Sequence, residues 1–221
     1  MNGTISTTVA VNGFEGVLYS GDGTKNRVMI VMSGSNGGMK LTKAEALFYH
    51  KNGIPALALA LFKTKQTGKF LDRVPVEYVE NAIKWLKEQG YQNIGIDGMS
   101  KGSEMALLSA SMFSEISCVI ARVPSYFVSE GLSGKGKSKD PSGTSCWSYK
   151  GEEIPYAPYN KGPSIFLRCS GRKRNCILSG LTGIKMSHLR RSSRWKRSKP
   201  LYFCCLQKGM RYGRHMTARY I

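Results

Sequence analysis

Histidine is scarce, with three in 221 residues, and acidic residues stop altogether after Glu153. Long hydrophobic runs are also missing. The longest, residues 54–62, contains Pro55 and ends at Lys63, which excludes a membrane-spanning helix. The first eleven residues lack the basic and then apolar order of a secretory signal, so the expected location is the cytoplasm. The six cysteines, at 118, 146, 169, 176, 204 and 205, follow no even framework and read as reduced thiols. Neither the Cys169 to Cys176 spacing nor the Cys204-Cys205 pair makes a two-residue-gap knuckle, so no metal is expected, and nothing calls for a cofactor. There is no internal repeat.

Composition is that of an ordinary globular chain, with 41% hydrophobic and 21% charged residues, and the length suits one sizeable α/β domain. The net charge of +19 would suggest a nucleic-acid partner if it were spread evenly. It is not. Residues 1–153 carry 17 Lys and Arg against 14 Asp and Glu, whereas residues 154–221 carry 16 against none. The alternative to an enzyme is therefore a basic tail, Arg172 to Arg174 and residues 190–199 with Trp195 available to stack, that binds phosphates. No recognised nucleic-acid-binding fold accompanies this charge, so the expected partner is a small molecule rather than nucleic acid or membrane.

Residues 7–11 and 14–18 are short β-type runs joined through Asn12-Gly13, which predicts a hairpin. The run RVMIVM, residues 27–32, predicts a strand buried on both faces. A helix over 41–51, a strand over 54–61, a helix opened by Pro75 and closed by Gly90, a strand over 93–97, a helix over 101–113 and a strand over 118–123 follow. Residues 164–169, SIFLRC, predict one more strand. Strands alternating with helices of about a dozen residues imply right-handed crossovers and a mostly parallel sheet with helices on both faces, an α/β fold whose C-terminal part departs from the pattern. The expected division is a core over residues 1–170 and a divergent basic segment over 171–221.

Gly98-Met99-Ser100-Lys101-Gly102 fits G-x-S-x-G, with the strand IGID running into it and a helix running out. That context is what a nucleophile elbow needs, a sharp strand-to-helix turn that presents a serine hydroxyl above the sheet edge. The plainer alternative is that Ser100 only caps the helix. An oxyanion hole needs two backbone N–H donors. One would come from Lys101, the other from Ser35 or Asn36 in the glycine-rich loop 33–38, which could equally be an ordinary turn. A general base is expected after the serine in chain order. His50 precedes it and reads as a surface or cap residue, His188 stands in a basic run without a motif, and His215 follows a glycine turn near the end.

The segments YQNIGIDGMSKGSEMALLSASMF, KNGIPALALALF and GTSCWSYKGEEIPYAPY together resemble the C-terminal hydrolase domain shared by acyl-CoA thioesterases and bile acid-CoA:amino acid N-acyltransferase, relatives of dienelactone hydrolase. The resemblance covers about residues 26–166. It implies an α/β-hydrolase fold and a nucleophile at Ser100, a position held by cysteine in the amino acid-conjugating members, so serine favours hydrolysis of the acyl-enzyme by water. GRHMTARYI resembles the family's G-H-M-x-x-P-Y ending, which implies His215 as the catalytic histidine, although Arg214 and Arg219 depart from it. The family's S-G-x-x-D stretch reads Ser170-Gly171-Arg172-Lys173-Arg174 here, so arginine stands where the triad acid is expected. Residues 172–210 resemble nothing in the family, and their excess of Arg, Lys, Ser and Cys is what a shifted reading frame in an adenine-rich gene would produce.

Overall fold

The structure is a computed structural model that describes residues 3–21, 23, 25–125, 127–133 and 140–159, and the backbone of 202–206. Among the described residues its centre is a seven-stranded sheet. The strands in chain order are β1 (Thr4–Thr7), β2 (Gly16–Tyr19), β3 (Arg27–Met32), β4 (Ala56–Leu59), β6 (Asn93–Met99), β7 (Ile116–Arg122) and β12 (Tyr202–Leu206), and their spatial order is β1-β2-β4-β3-β6-β7-β12. β1 and β2 are antiparallel, β2 is antiparallel to β4, and every pairing from β4 to β12 is parallel. An antiparallel start on a parallel sheet, with the chain switching sides after β4, is the topology of the α/β-hydrolase fold.

Strict alternation along the strands divides the core between two faces. Val28, Ile30 and Met32 of β3 join Leu57 and Leu59 of β4 on one face, while Met29 and Val31 join Ala56 and Ala58 on the other. The small alanines face α2 (Lys40–Lys51), which packs with Ala46 against the sheet. The larger face is covered by α3 (Glu77–Glu88), through Val79, Ala82, Ile83 and Leu86, and by α4 (Lys101–Met112), through Met105, Ala106 and Leu108.

The predicted hairpin is half right. β1 and β2 pair with Thr7 opposite Gly16, but the link is a helical turn, α1 (Val9–Asn12), rather than a two-residue turn at Asn12-Gly13. The Thr8 hydroxyl accepts from the Val11 amide at one end, and Gly13 closes the other at φ 72°, so the two caps override the β preference of Val9 and Val11. The remaining predicted strands and helices up to residue 122 are present with ends shifted by a few residues.

After β7 the chain makes an excursion through β8 (Glu130–Leu132), β9 (Pro141–Ser145), β10 (Trp147–Tyr149) and β11 (Glu152–Glu153). β8 and β9 form a hairpin, and β10 sits between β11 and the two-residue β5 (Val74–Pro75) that precedes α3. The predicted strand over 164–169 lies outside the described residues. β12 lies within the basic segment and pairs with the outer edge of β7, Tyr202 opposite Cys118.

Candidate active site

β3 and β6 are neighbours whose connections leave in opposite directions across the sheet, so the loops at their C-terminal ends meet at a topological switch point. The loop after β3 is 33–38, and the turn after β6 is Ser100. Ser100 has φ 54° and ψ −114°, a conformation that non-glycine residues rarely adopt, between the last residue of β6 and the first of α4. Its N–H donates to the Arg122 carbonyl at 2.8 Å, and its own carbonyl accepts from the Ser103 amide at 3.0 Å and the Ser103 hydroxyl at 2.6 Å. Its side chain makes no capping hydrogen bond and is exposed, so capping is not the role of this hydroxyl. At the next strand end Val123 also holds a positive φ, 54°, and the residue is 60% exposed.

Two glycines make the turn sterically possible. A Cβ on Gly98 would overlap the Gly102 carbonyl and lie 2.5 Å from the Ser103 nitrogen, and one on Gly102 would lie 2.5 Å from the Ser33 carbonyl oxygen. Helix α4 therefore starts in direct backbone contact with both the strand before it and the loop beside it.

Loop 33–38 adjoins the serine through Gly34, where a Cβ would stand 3.1 Å from the Ser100 Cβ and 3.7 Å from its hydroxyl. The Gly37 and Gly38 amides donate to the carbonyls of Gly34 and Phe62, while those of Ser35 and Asn36 have no backbone acceptor among the described residues. The Lys101 amide, at the first position of α4, belongs to the unpaired donors of a helix start. The structure thus brings Ser100, Lys101 and the Ser35-Asn36 loop to one edge. His215, His188 and residues 170–174 lie outside the described residues. His50 sits in the last turn of α2, its ring 6.1 Å from that of Tyr19.

Two charged clusters beneath the turn were not singled out from sequence. In the first, the Lys101 side chain, 8% exposed as a residue, lies 3.5 Å from the carboxylate of Glu104, 3% exposed. Its ammonium also donates to the Ser129 hydroxyl, to Cys146 Sγ at 3.0 Å and to the Glu130 carbonyl at 3.5 Å. Glu104 accepts from the Ser129 amide and Trp147 Nε1, both at 2.8 Å, and from the hydroxyls of Ser125 and Ser129. Burial would depress the ammonium, but Glu104, Cys146 and Tyr159 together outweigh it and hold Lys101 above the ordinary lysine range. Burial pushes the neighbouring Cys146 thiol up to about 11, against the pull of Lys101.

In the second cluster, the Arg122 guanidinium makes two bonds to Glu45 of α2, at 2.8 and 3.2 Å, and one to Asp97 of β6 at 2.9 Å. Tyr49 of α2 donates to the other Asp97 oxygen at 2.7 Å. Burial holds the Asp97 carboxyl above its usual range although both Tyr49 and Arg122 draw it down. The signal for both clusters is a charge in an apolar context, Asp97 inside IGIDG and Lys101 with Glu104 inside a helix that is otherwise small and apolar. Among the described residues, no group of three or more His, Cys, Asp or Glu is placed to hold a metal ion, and no helix is long and apolar enough to cross a membrane.

No curated protein matches the chain. Among solved structures it is similar to the α/β hydrolase GrgF of Penicillium sp. sh18, at 18% identity over 58% of this chain and 47% of that one, with a TM-score of 0.48. An esterase of Pyrococcus furiosus, Pf2001, is 24% identical over 50% of this chain and 47% of its own, with a TM-score of 0.43. Est1E of Butyrivibrio proteoclasticus is 16% identical over 53% and 52%, with a TM-score of 0.42. The chain spans about half the length of these structures. Residues 74–142, which run from β5 through Ser100 and into β9, match the family model described as BAAT / Acyl-CoA thioester hydrolase C terminal.

Proposed function

We propose that the chain is a serine hydrolase that cleaves acyl thioesters, acyl-CoA among them, or related esters. The observation that carries this reading is the Ser100 turn, an exposed hydroxyl held at φ 54° with the Lys101 amide and loop 33–38 at its side. Ser100 Oγ attacks the acyl carbonyl carbon, and its proton passes to His215. The carbonyl oxygen becomes negative and is held by the Lys101 amide and by that of Ser35 or Asn36. Collapse of the intermediate breaks the bond to sulfur or oxygen, the leaving group takes the proton from His215, and water then releases the acyl group from Ser100. With no acidic residue after Glu153, the usual chain order of serine, acid and histidine supplies no triad acid, a loss of roughly ten-thousandfold in the serine-protease template. The proposed enzyme is accordingly a slow one.

A fluorophosphonate probe tests this. The native chain should label at a single serine, and Ser100→Ala should abolish labelling; comparison of a CoA thioester with a small ester or lactone then separates a thioesterase from a dienelactone hydrolase-like carboxylesterase. Folded chain that remains unlabelled sinks the reading. The second reading would then lead, a hydrolase scaffold whose 16 Lys and Arg after residue 153 bind anions, with a salt-sensitive DNA gel shift that requires residues 172–199 as its signature.

A further inference from the structure

A buried lysine at the first position of a helix is an expensive choice for stability. The helix dipole opposes a cation there, and a buried ion pair does no better than well-packed apolar side chains of the same volume. Lys101 and Glu104 nevertheless occupy the first turn of α4 at 8% and 3% exposure. Every polar contact from these two groups, apart from the one between them, leads to the excursion that follows β7. Lys101 reaches Ser129, Glu130, Cys146 and, further along, Tyr159, and Glu104 reaches Ser125, Ser129 and Trp147. The Trp147 ring is completely buried, so the far end of this connection is itself immobile.

The backbone end of the same lysine carries the amide that follows the candidate nucleophile. Ser100 is held at a strained φ by bonds to its own backbone, on one side from its amide to the Arg122 carbonyl and on the other from the Ser103 amide and hydroxyl and the Glu104 amide to its carbonyl. An amide one bond from the Lys101 Cα moves with that Cα, and the Cα is tied through its side chain to residues 125–147. Apolar side chains would fill the space but would not define a direction.

We propose that the Lys101 ammonium and the Glu104 carboxylate are positioning groups, which lock the first turn of α4 to residues 125–147 and so aim the Lys101 amide at the acyl oxygen. This inference rests on the reading of Ser100 as nucleophile. It adds that the excursion after β7 is a working part of the oxyanion hole although it contributes no donor to it.

The test compares the full chain with Lys101→Met/Glu104→Gln, a neutral pair that keeps an acceptor for Trp147 and Ser129, on hydrolysis of p-nitrophenyl acetate. Positioning predicts that kcat and the rate of fluorophosphonate labelling fall together by about tenfold to a hundredfold, the scale of a misaligned oxyanion donor, while KM stays within about twofold and Tm is held. The single variant Glu104→Gln, which cannot leave a cavity, should show the same split at smaller size. A folded double variant with kcat unchanged overturns the inference and leaves the pair as packing, as does a double variant that fails to fold while Glu104→Gln alone keeps full kcat. The native chain is read first: if it does not label at Ser100, the functional reading has failed, and this inference falls with it.

Discussion

At the scale of single residues, the strained Ser100 is held by its surroundings at a cost to the fold. A non-glycine residue in this region stores about 1–3 kcal/mol, and glycine, which adopts it freely, loses roughly 0.5–1 kcal/mol more entropy on folding. Ser100→Gly should therefore stabilise the protein by about 1 kcal/mol, read as a rise of roughly 2–4 °C in Tm for a chain of this size, while removing fluorophosphonate labelling. A lower Tm in that variant would mean that the hydroxyl contributes structurally after all. The buried charges belong to this scale too. Each has a partner within reach and several hydrogen bonds, as an ion in a low-dielectric interior requires. Arg122 illustrates the reach involved, because its bidentate partner Glu45 lies 77 positions away in the chain.

At the scale of elements, the critical contact is between the start of α4 and the loop after β3. Gly102 lets the helix backbone approach Met32 and Ser33, and its absent side chain is the space they occupy. Gly102→Ala would put a methyl 2.5 Å from the Ser33 oxygen and 2.7 Å from that of Met32, both backbone atoms that cannot rotate away. The expected cost is roughly 3 kcal/mol, measured as a shift in the urea midpoint with the slope unchanged. A loss well under that would show that loop 33–38 yields, and hence that it is not held firmly enough to present an oxyanion donor. By contrast, the exposed end of Gly53, where a Cβ would meet nothing within 4 Å, constrains only its own turn through its φ of 74°.

At the scale of the whole molecule, β12 extends the sheet past β7 and is its last strand among the described residues. Its five residues pair in parallel with β7, so β7 is an interior strand and its outer edge is covered. A chain ended after Pro200 would leave β7 as an exposed edge, a ready template for pairing with another copy. That truncation should elute as larger species on size exclusion and lose Tm; a monodisperse product with native Tm would show that the β7–β12 pairing contributes nothing in solution. β12 falls within the segment of 16 Lys and Arg without an acid, so the most basic part of the chain also supplies sheet structure.

What the amino-acid order determined by itself was local. A continuous apolar run of strand length such as RVMIVM, followed by Ser33-Gly34, reads as a strand covered on both faces, and G-x-S-x-G between strand and helix marks Ser100 because its two glycines are needed where backbone meets backbone. The helical turn at Val9–Asn12 escaped because two caps outweighed a β preference that sequence shows more plainly. Tertiary structure decided which distant groups meet. The pairing of β5 with β10, the grip of Glu45 and Asp97 on Arg122, and the attachment of Lys101 and Glu104 to Ser129 and Trp147 all join segments with no shared periodicity. The physical reason is that burial, and not spacing, selects these partners. A charge carried inside by an apolar strand or helix must find its counterion wherever the packed elements bring one within hydrogen-bond distance.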